Sequence, residues 1–121
     1  MAAHKIKLTI DQGATFRKSV VWRSGPTAET AQPVDLTGCT ARAQIRSELD
    51  SPDVLLELST ENGRIALGGE TGEIRLEIDA VTTAAIDWES GVYDLEVVFP
   101  DSTVVRRMAG TVAVTREVTR D

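Results

Sequence analysis

The chain is short of the side chains that carry most protein chemistry. Its 121 residues include one histidine, His4, and one cysteine, Cys39. A zinc site draws several His or Cys ligands from short spacings, and one of each far apart in the chain does not supply them. A lone cysteine excludes an intrachain disulfide, which fits folding in a reducing cytoplasm. Cysteine or serine nucleophiles need a base beside them. Here the only histidine is near the N-terminus, and no Gly-x-Ser-x-Gly elbow occurs. Aromatic residues are few, namely Phe16, Trp22, Trp88, Tyr93 and Phe99, so the core falls to Val, Ile, Leu and Ala. No apolar run approaches the roughly 20 residues of a membrane-spanning helix. The start, Met1-Ala2-Ala3-His4-Lys5, lacks the apolar stretch of a secretory signal. Basic residues are outnumbered, 13 against 19 acidic, for a net charge of −6. Binding to nucleic acid relies on clustered Lys and Arg, so neither a nucleic acid nor a membrane is expected as a partner, and no cofactor is expected.

What the chain does have is alternation. Its length fits one domain over residues 1–121. Ile6, Leu8 and Ile10 alternate with Lys5, Lys7 and Thr9, the period of a strand with one buried face. Phe16, Val20 and Trp22 share parity, and Lys18 interrupts it, which predicts a bulge or an edge position. Residues 24–33 read as a loop. The segment 34–48, VDLTGCTARAQIRSE, is a turn feeding a strand with Cys39, Ala41, Ala43 and Ile45 inward. Those small inward residues predict close approach of two sheets. A short strand is expected over 54–58, and Asn62-Gly63 suggests a tight hairpin before Ile65 and Leu67. Residues 68–72, GGETG, form a further turn before Ile74, Leu76 and Ile78. Residues 79–86 form the one expected helical turn, capped by Asp79. Segment 91–99, GVYDLEVVF, places Tyr93, Leu95, Val97 and Phe99 on one face, and strands over 104–108 and 111–115 follow. The pattern predicts an all-β, antiparallel β-sandwich, Ig-like or a partly closed barrel, of about eight strands. Segments 34–48 and 91–99 are expected to supply its two central strands.

The remaining candidates for chemistry are carboxylates and arginines. Glu73, Glu77, Asp94 and Glu96 fall on outward strand parity, where charges face solvent, so glycosidase-type pairing is not expected. Asp50, Asp53, Glu70 and Asp79 lie at or near turns, but their spacing fits no EF-hand loop. The glycine-rich 68–72 lacks the Lys-Ser/Thr ending of a phosphate loop. Arg42, Arg46, Arg106, Arg107, Arg116 and Arg120 are either ordinary sheet surface and terminus or interface anchors, a role for which arginine is enriched. Of the two tryptophans, Trp88, on a loop after the helical turn, is the better candidate anchor.

The series of turns and strands resembles the β-sandwich modules of tailed-bacteriophage structural proteins. The nearest shapes are the N-terminal domain of phage baseplate upper proteins and related minor tail protein modules. The resemblance runs from Leu8 to about Val114. It rests on Gln12-Gly13, Val34-Asp35-Leu36-Thr37-Gly38 with 40–46, and Glu61-Asn62-Gly63 with Ile65 and Leu67. It continues through Gly72-Glu73-Ile74, Ala84-Ala85 and Gly91-Val92-Tyr93-Asp94-Leu95-Glu96. It brings no catalytic residues. It implies a non-enzymatic virion protein, assembled in the bacterial host cytoplasm and present in multiple copies in a symmetric assembly with other virion proteins. A tail or baseplate connector or adaptor is expected, with a capsid decoration (cement) protein as the alternative. Baseplate upper proteins continue past this module into a stalk or fibre. Here Asp121 closely follows the last expected strand, so a stand-alone subunit is expected. A carbohydrate-binding module is less favoured, because it would want a planar row of exposed aromatics.

Overall fold

The computed structural model describes residues 3–119. In chain order its strands are β1 (His4–Lys5), β2 (Leu8–Asp11), β3 (Phe16–Val21), β4 (Arg23–Ser24), β5 (Gln32–Pro33) and β6 (Thr40–Arg46). They continue with β7 (Leu56–Ser59), β8 (Ile65–Leu67), a 3₁₀ turn (Gly69–Thr71) and β9 (Glu73–Ile78). Last come the helix α1 (Ala80–Ala84), β10 (Ser90–Val98) and β11 (Val104–Thr115). The large sheet has the order β1-β11-β10-β6-β7, with β2 also paired to β11. The small sheet is β3-β9-β8, and β4 with β5 form a separate two-stranded arm.

The fold is an all-β sandwich. Alternation is clean on the central strands: Ala41, Ala43 and Ile45 of β6 and Tyr93, Leu95 and Val97 of β10 are buried. Phe16, Ile65, Ile74, Leu76 and Ile78 face them from the small sheet. Each buried Leu, Ile or Val contributes about 1.5–3 kcal/mol relative to exposure. β6 and β8, in opposite sheets, lie close in backbone, and the small Ala41 and Ala43 suit that approach. As expected, β6 and β10 are central neighbours, paired from Val92↔Arg46 to Val98↔Thr40.

Several local expectations are corrected. The first strand is split at Ile6 and Lys7, and both pieces run parallel to β11 rather than antiparallel. β11 is one strand of 12 residues and does not break at Gly110. A side chain at Gly110 would collide with the Ile6 carbonyl oxygen, so this glycine admits the edge strand instead of ending its own. Tyr93 lies opposite Gly110 and donates its hydroxyl to that same Ile6 carbonyl at 2.6 Å. Burial raises the Tyr93 phenol to about 12, which keeps it a donor. Asn62-Gly63 makes no hairpin, because β7 and β8 belong to different sheets. Asn62 instead braces the corner, accepting from the Ser59 and Arg64 amides at 2.9 and 3.0 Å. The expected loop over 24–33 is shorter, because Ser24, Gln32 and Pro33 belong to the β4–β5 pair and only 25–31 connect them. Lys18 marks an edge rather than a bulge, since β3 pairs with β9 without a register shift. Cys39 and Phe99 fall just outside their strands and are only half-buried.

The corner between the sheets is tied by polar contacts. Gln12 donates to the Ile86 carbonyl and accepts from the Glu117 amide, both at 2.9 Å. The fully buried Thr83 hydroxyl accepts from the Gly13 amide at 3.0 Å and donates to the Ala14 carbonyl at 2.8 Å. As expected, Asp79 caps α1, accepting from the Thr82 amide at 2.9 Å.

Two predictions follow from this packing. Tyr93→Phe should cost about 1 kcal/mol by losing one buried hydrogen bond, and Gly110→Ala about 1–3 kcal/mol by forcing the Ile6 backbone away. Urea unfolding would measure both, and full stability in Gly110→Ala would refute the close-approach account. The second prediction concerns pH. Asp35, Asp79 and Asp101 are held below their ordinary value of 3.8 by the hydroxyls and then the amides of Thr37, Thr82 and Thr103. A depressed carboxyl adds stability above its unfolded pKa, and that contribution is lost as pH falls through the folded value. The melting temperature should therefore drop as pH falls below about 4. Changing Asp79 and Asp101 to Asn keeps an accepting oxygen at both turns and should flatten that slope.

Candidate functional site

The outward face of the large sheet carries the densest set of polar side chains named above. Register puts Glu96 opposite Arg42 on one side and Arg106 on the other, with Asp94 opposite Gln44. The Arg42 Nε lies 2.9 Å from Glu96 Oε1, and the Arg106 Nε lies 3.4 Å from Asp94 Oδ2. Arg46 donates to the Gln44 amide oxygen at 2.7 Å and to the Ser51 carbonyl at 2.8 Å. These contacts form a flat lattice of alternating charge. A shallow groove of about 340 Å³ runs over it, bounded by Arg42, Gln44, Glu57 and Ser59. Beside it lies a wider hollow of about 610 Å³ with Val92, Ala109 and Leu49 in its lining. Leu49 is 84% exposed, an apolar side chain held out on the β6–β7 loop.

The arginines singled out from the sequence are thus divided. Arg42, Arg46 and Arg106 share the outer face. Trp88 and Arg116 line a separate cleft of about 330 Å³ with Gln12, Ile86 and Val114. Trp88 is half-buried and packs against the core. Arg107 stands apart from both groups, and Arg120 lies outside the described residues.

Arg107 is placed by an irregularity in β11. Leu95 pairs with Met108 and Glu96 with Arg106, so Arg107 is the extra residue of a β-bulge. Bulges re-aim side chains, and this one brings the Arg107 guanidinium to 5.3 Å from the centre of the Trp22 ring. Trp22 is fixed through its backbone, donating to the Gly72 carbonyl at 2.9 Å and accepting from the Val34 amide at 2.8 Å. Its ring meets Phe99 edge-on at 5.9 Å. Trp22, Phe99, Pro100 and Val105 line an apolar depression of about 550 Å³. The periodicity of the sequence marked Trp22 as an inward residue and Arg107 as one of several surface arginines. The pairing depends on the bulge, which the VVRRM run hints at only by carrying two apolar and two basic residues in succession.

The other chemical candidates are spread out. Glu77 pairs with Arg17 at 3.2 Å on the small sheet, Asp79 caps α1, and Asp101 accepts from the Thr103 amide in the β10–β11 turn. Among the described residues, no three His, Cys, Asp or Glu side chains gather into a metal-binding group. Burial, and then the nearby charges of Asp35 and Asp101, push the Cys39 thiol up. That disfavours the nucleophilic thiolate. The arrangement offers an outer face of matched charges with a mixed hollow beside it, and one apolar hollow at the rim.

The chain matches no family model and no curated protein.

The outer-face ion pairs are exposed, so they should contribute little to stability and remain available to a partner. A double-mutant cycle over Arg42→Gln and Glu96→Gln should give a coupling below about 1 kcal/mol that shrinks further in high salt. A large, salt-insensitive coupling would mean that the pair is a structural clamp.

Proposed function

We propose that this protein is a non-enzymatic structural component of a tailed-bacteriophage particle, a tail or baseplate connector or adaptor that docks on other virion proteins. The reading draws on the resemblance of its turn-and-strand series to phage β-sandwich modules. The observation that carries it is the outer face of β11-β10-β6. There, opposite charges held by strand register lie beside the projecting Leu49. Binding by such a face is rigid-surface recognition. Charge order sets register and rejects mismatched partners, while a few apolar anchors supply affinity. In a symmetric particle, weak contacts repeated over many copies add up to firm attachment. Nothing in this mode calls for a bound cofactor.

Mass spectrometry of purified particles tests the proposal. The protein should be present at a copy number tied to the symmetry of the tail or capsid, and its absence from particles would end the reading. Immunogold labelling then assigns the place. Label at the tail or baseplate supports the connector role, whereas label over the head would make the protein a capsid decoration subunit.

A further inference from the structure

Three half-buried arginines are present among the described residues, Arg46, Arg64 and Arg107. Arg46 donates to the Ser51 carbonyl and Arg64 to the Glu57 carbonyl, at 2.8 and 2.9 Å. Arg107 makes no hydrogen bond or ion pair with any described residue, and its Nε is enclosed without an acceptor. Partly desolvating a cation without a counter-charge is costly, and burial accordingly lowers the pKa of this guanidinium. The Trp22 ring face offers only partial compensation, since a cation–π contact lacks the directed acceptors a guanidinium can use.

The surroundings indicate what would complete it. The depression lined by Trp22, Phe99, Pro100 and Val105 is apolar on those sides. Asp101 lines the same depression; its Oδ1 accepts from the Thr103 amide at 2.9 Å, and it forms no ion pair with Arg107. Arg107 does not line this hollow itself; its guanidinium stands 5.3 Å from the Trp22 ring that does, and an unpaired cation at the edge of an apolar hollow complements one anion attached to one apolar group. A polyanion is disfavoured, because a phosphate backbone needs several cations and this chain carries a net −6. We infer that the Trp22–Arg107 corner is a docking pocket for a protein segment that presents an Asp or Glu carboxylate beside an apolar side chain. The carboxylate would take the open guanidinium nitrogens in a charge-assisted pair, and the apolar side chain would cover Phe99, Pro100 and the small edge of the largely buried Trp22 that reaches the hollow. Tryptophan and arginine in a desolvated pocket are the typical composition of an interface hot spot. The inference rests on the docking part of the proposed function, and not on the particle in which docking takes place.

The experiment uses the full chain and an array of synthetic heptapeptides. Each peptide carries one acidic and one apolar residue at varied spacing and stands beside its Asn or Gln counterpart. The expected result is binding to a subset of the acidic peptides and at least tenfold weaker binding to their amide counterparts. In ¹⁵N-edited NMR, the Arg107 Nε–H and Trp22 indole signals should move on titration with a bound peptide. Arg107→Met keeps an apolar stem over Trp22 and should lose the binding while folding normally. Thr103→Glu, at the exposed lip of the depression, should lose it by supplying a competing carboxylate. Arg75→Met, an exposed arginine on the small sheet, should bind as the wild type does. The inference is overturned if no peptide binds, if amide peptides bind equally, if Arg107→Met retains binding, or if Arg75→Met loses as much. A protein found in particles but blind to every peptide would keep its docking role and lose this pocket. Peptide binding by a protein absent from particles would leave the pocket and remove the virion.

Discussion

One extra residue in β11 sets much of what this molecule can do. Val105 faces inward opposite the fully buried Val97, and Met108 faces inward opposite the fully buried Leu95. These two positions differ in parity, so an uninterrupted strand could bury only one of them, because side chains alternate with period two. The bulge at Arg107 resolves that conflict. Beyond it the same strand keeps Val112 buried and accepts β1 and β2 along its far edge. Without the shift, the segment beyond the bulge would turn Met108 and Val112 to solvent. The sandwich would then lose the inner wall beneath its N-terminal strands. The residue that makes the shift cannot occupy either face cleanly, and it ends at the rim, against Trp22.

That placement divides the electrostatics of the surface into two regimes. On the outer face, strand register sets Arg42 opposite Glu96, and Arg106, also opposite Glu96, reaches diagonally across the bulge to Asp94. Charges there are matched and solvated, so they add little to folding and are free to be exchanged for a partner's charges at small cost. At the rim, the guanidinium of Arg107 is partly withdrawn from water and has no matching acceptor. The first arrangement favours orientation and selectivity, while the second favours affinity concentrated at one point. The two are complementary in kind, because a flat salt-laced face by itself binds weakly and an isolated hot spot does not set register.

The fold was largely legible from alternation. The buried faces of β6, β9 and β10 lie where period two places them, because one-sided burial enforces a strict repeat. The helical turn and its Asp79 cap were equally plain, since capping is local chemistry. The connections were less legible. Asn62-Gly63 has the composition of a hairpin turn but sits where the chain changes sheets, a choice made by packing and not by the turn itself. Gly110 looked like a break. Its role depends on Ile6, more than a hundred residues away in the chain, and on Tyr93 reaching across to that carbonyl. Among the candidate site residues, Arg42, Arg46 and Arg106 could be grouped through strand parity. Arg107 could not, because a bulge changes parity at a point that no single-strand pattern marks.

The acidic character of the chain bears on how a pocket built around one cation would behave. A net charge of −6 repels an approaching acidic segment at long range, which slows encounter and discourages loose contacts. At contact range the balance reverses, because the desolvated guanidinium and the aromatic wall act over a few ångströms, well inside the roughly 8–10 Å screening length of physiological salt. Salt would therefore weaken the repulsion more than the pair itself. A surface of this kind discriminates by distance: acidic chains in general are held off, and only a segment shaped to place its carboxylate at Arg107 and its apolar side chain on Trp22 gains from closing in.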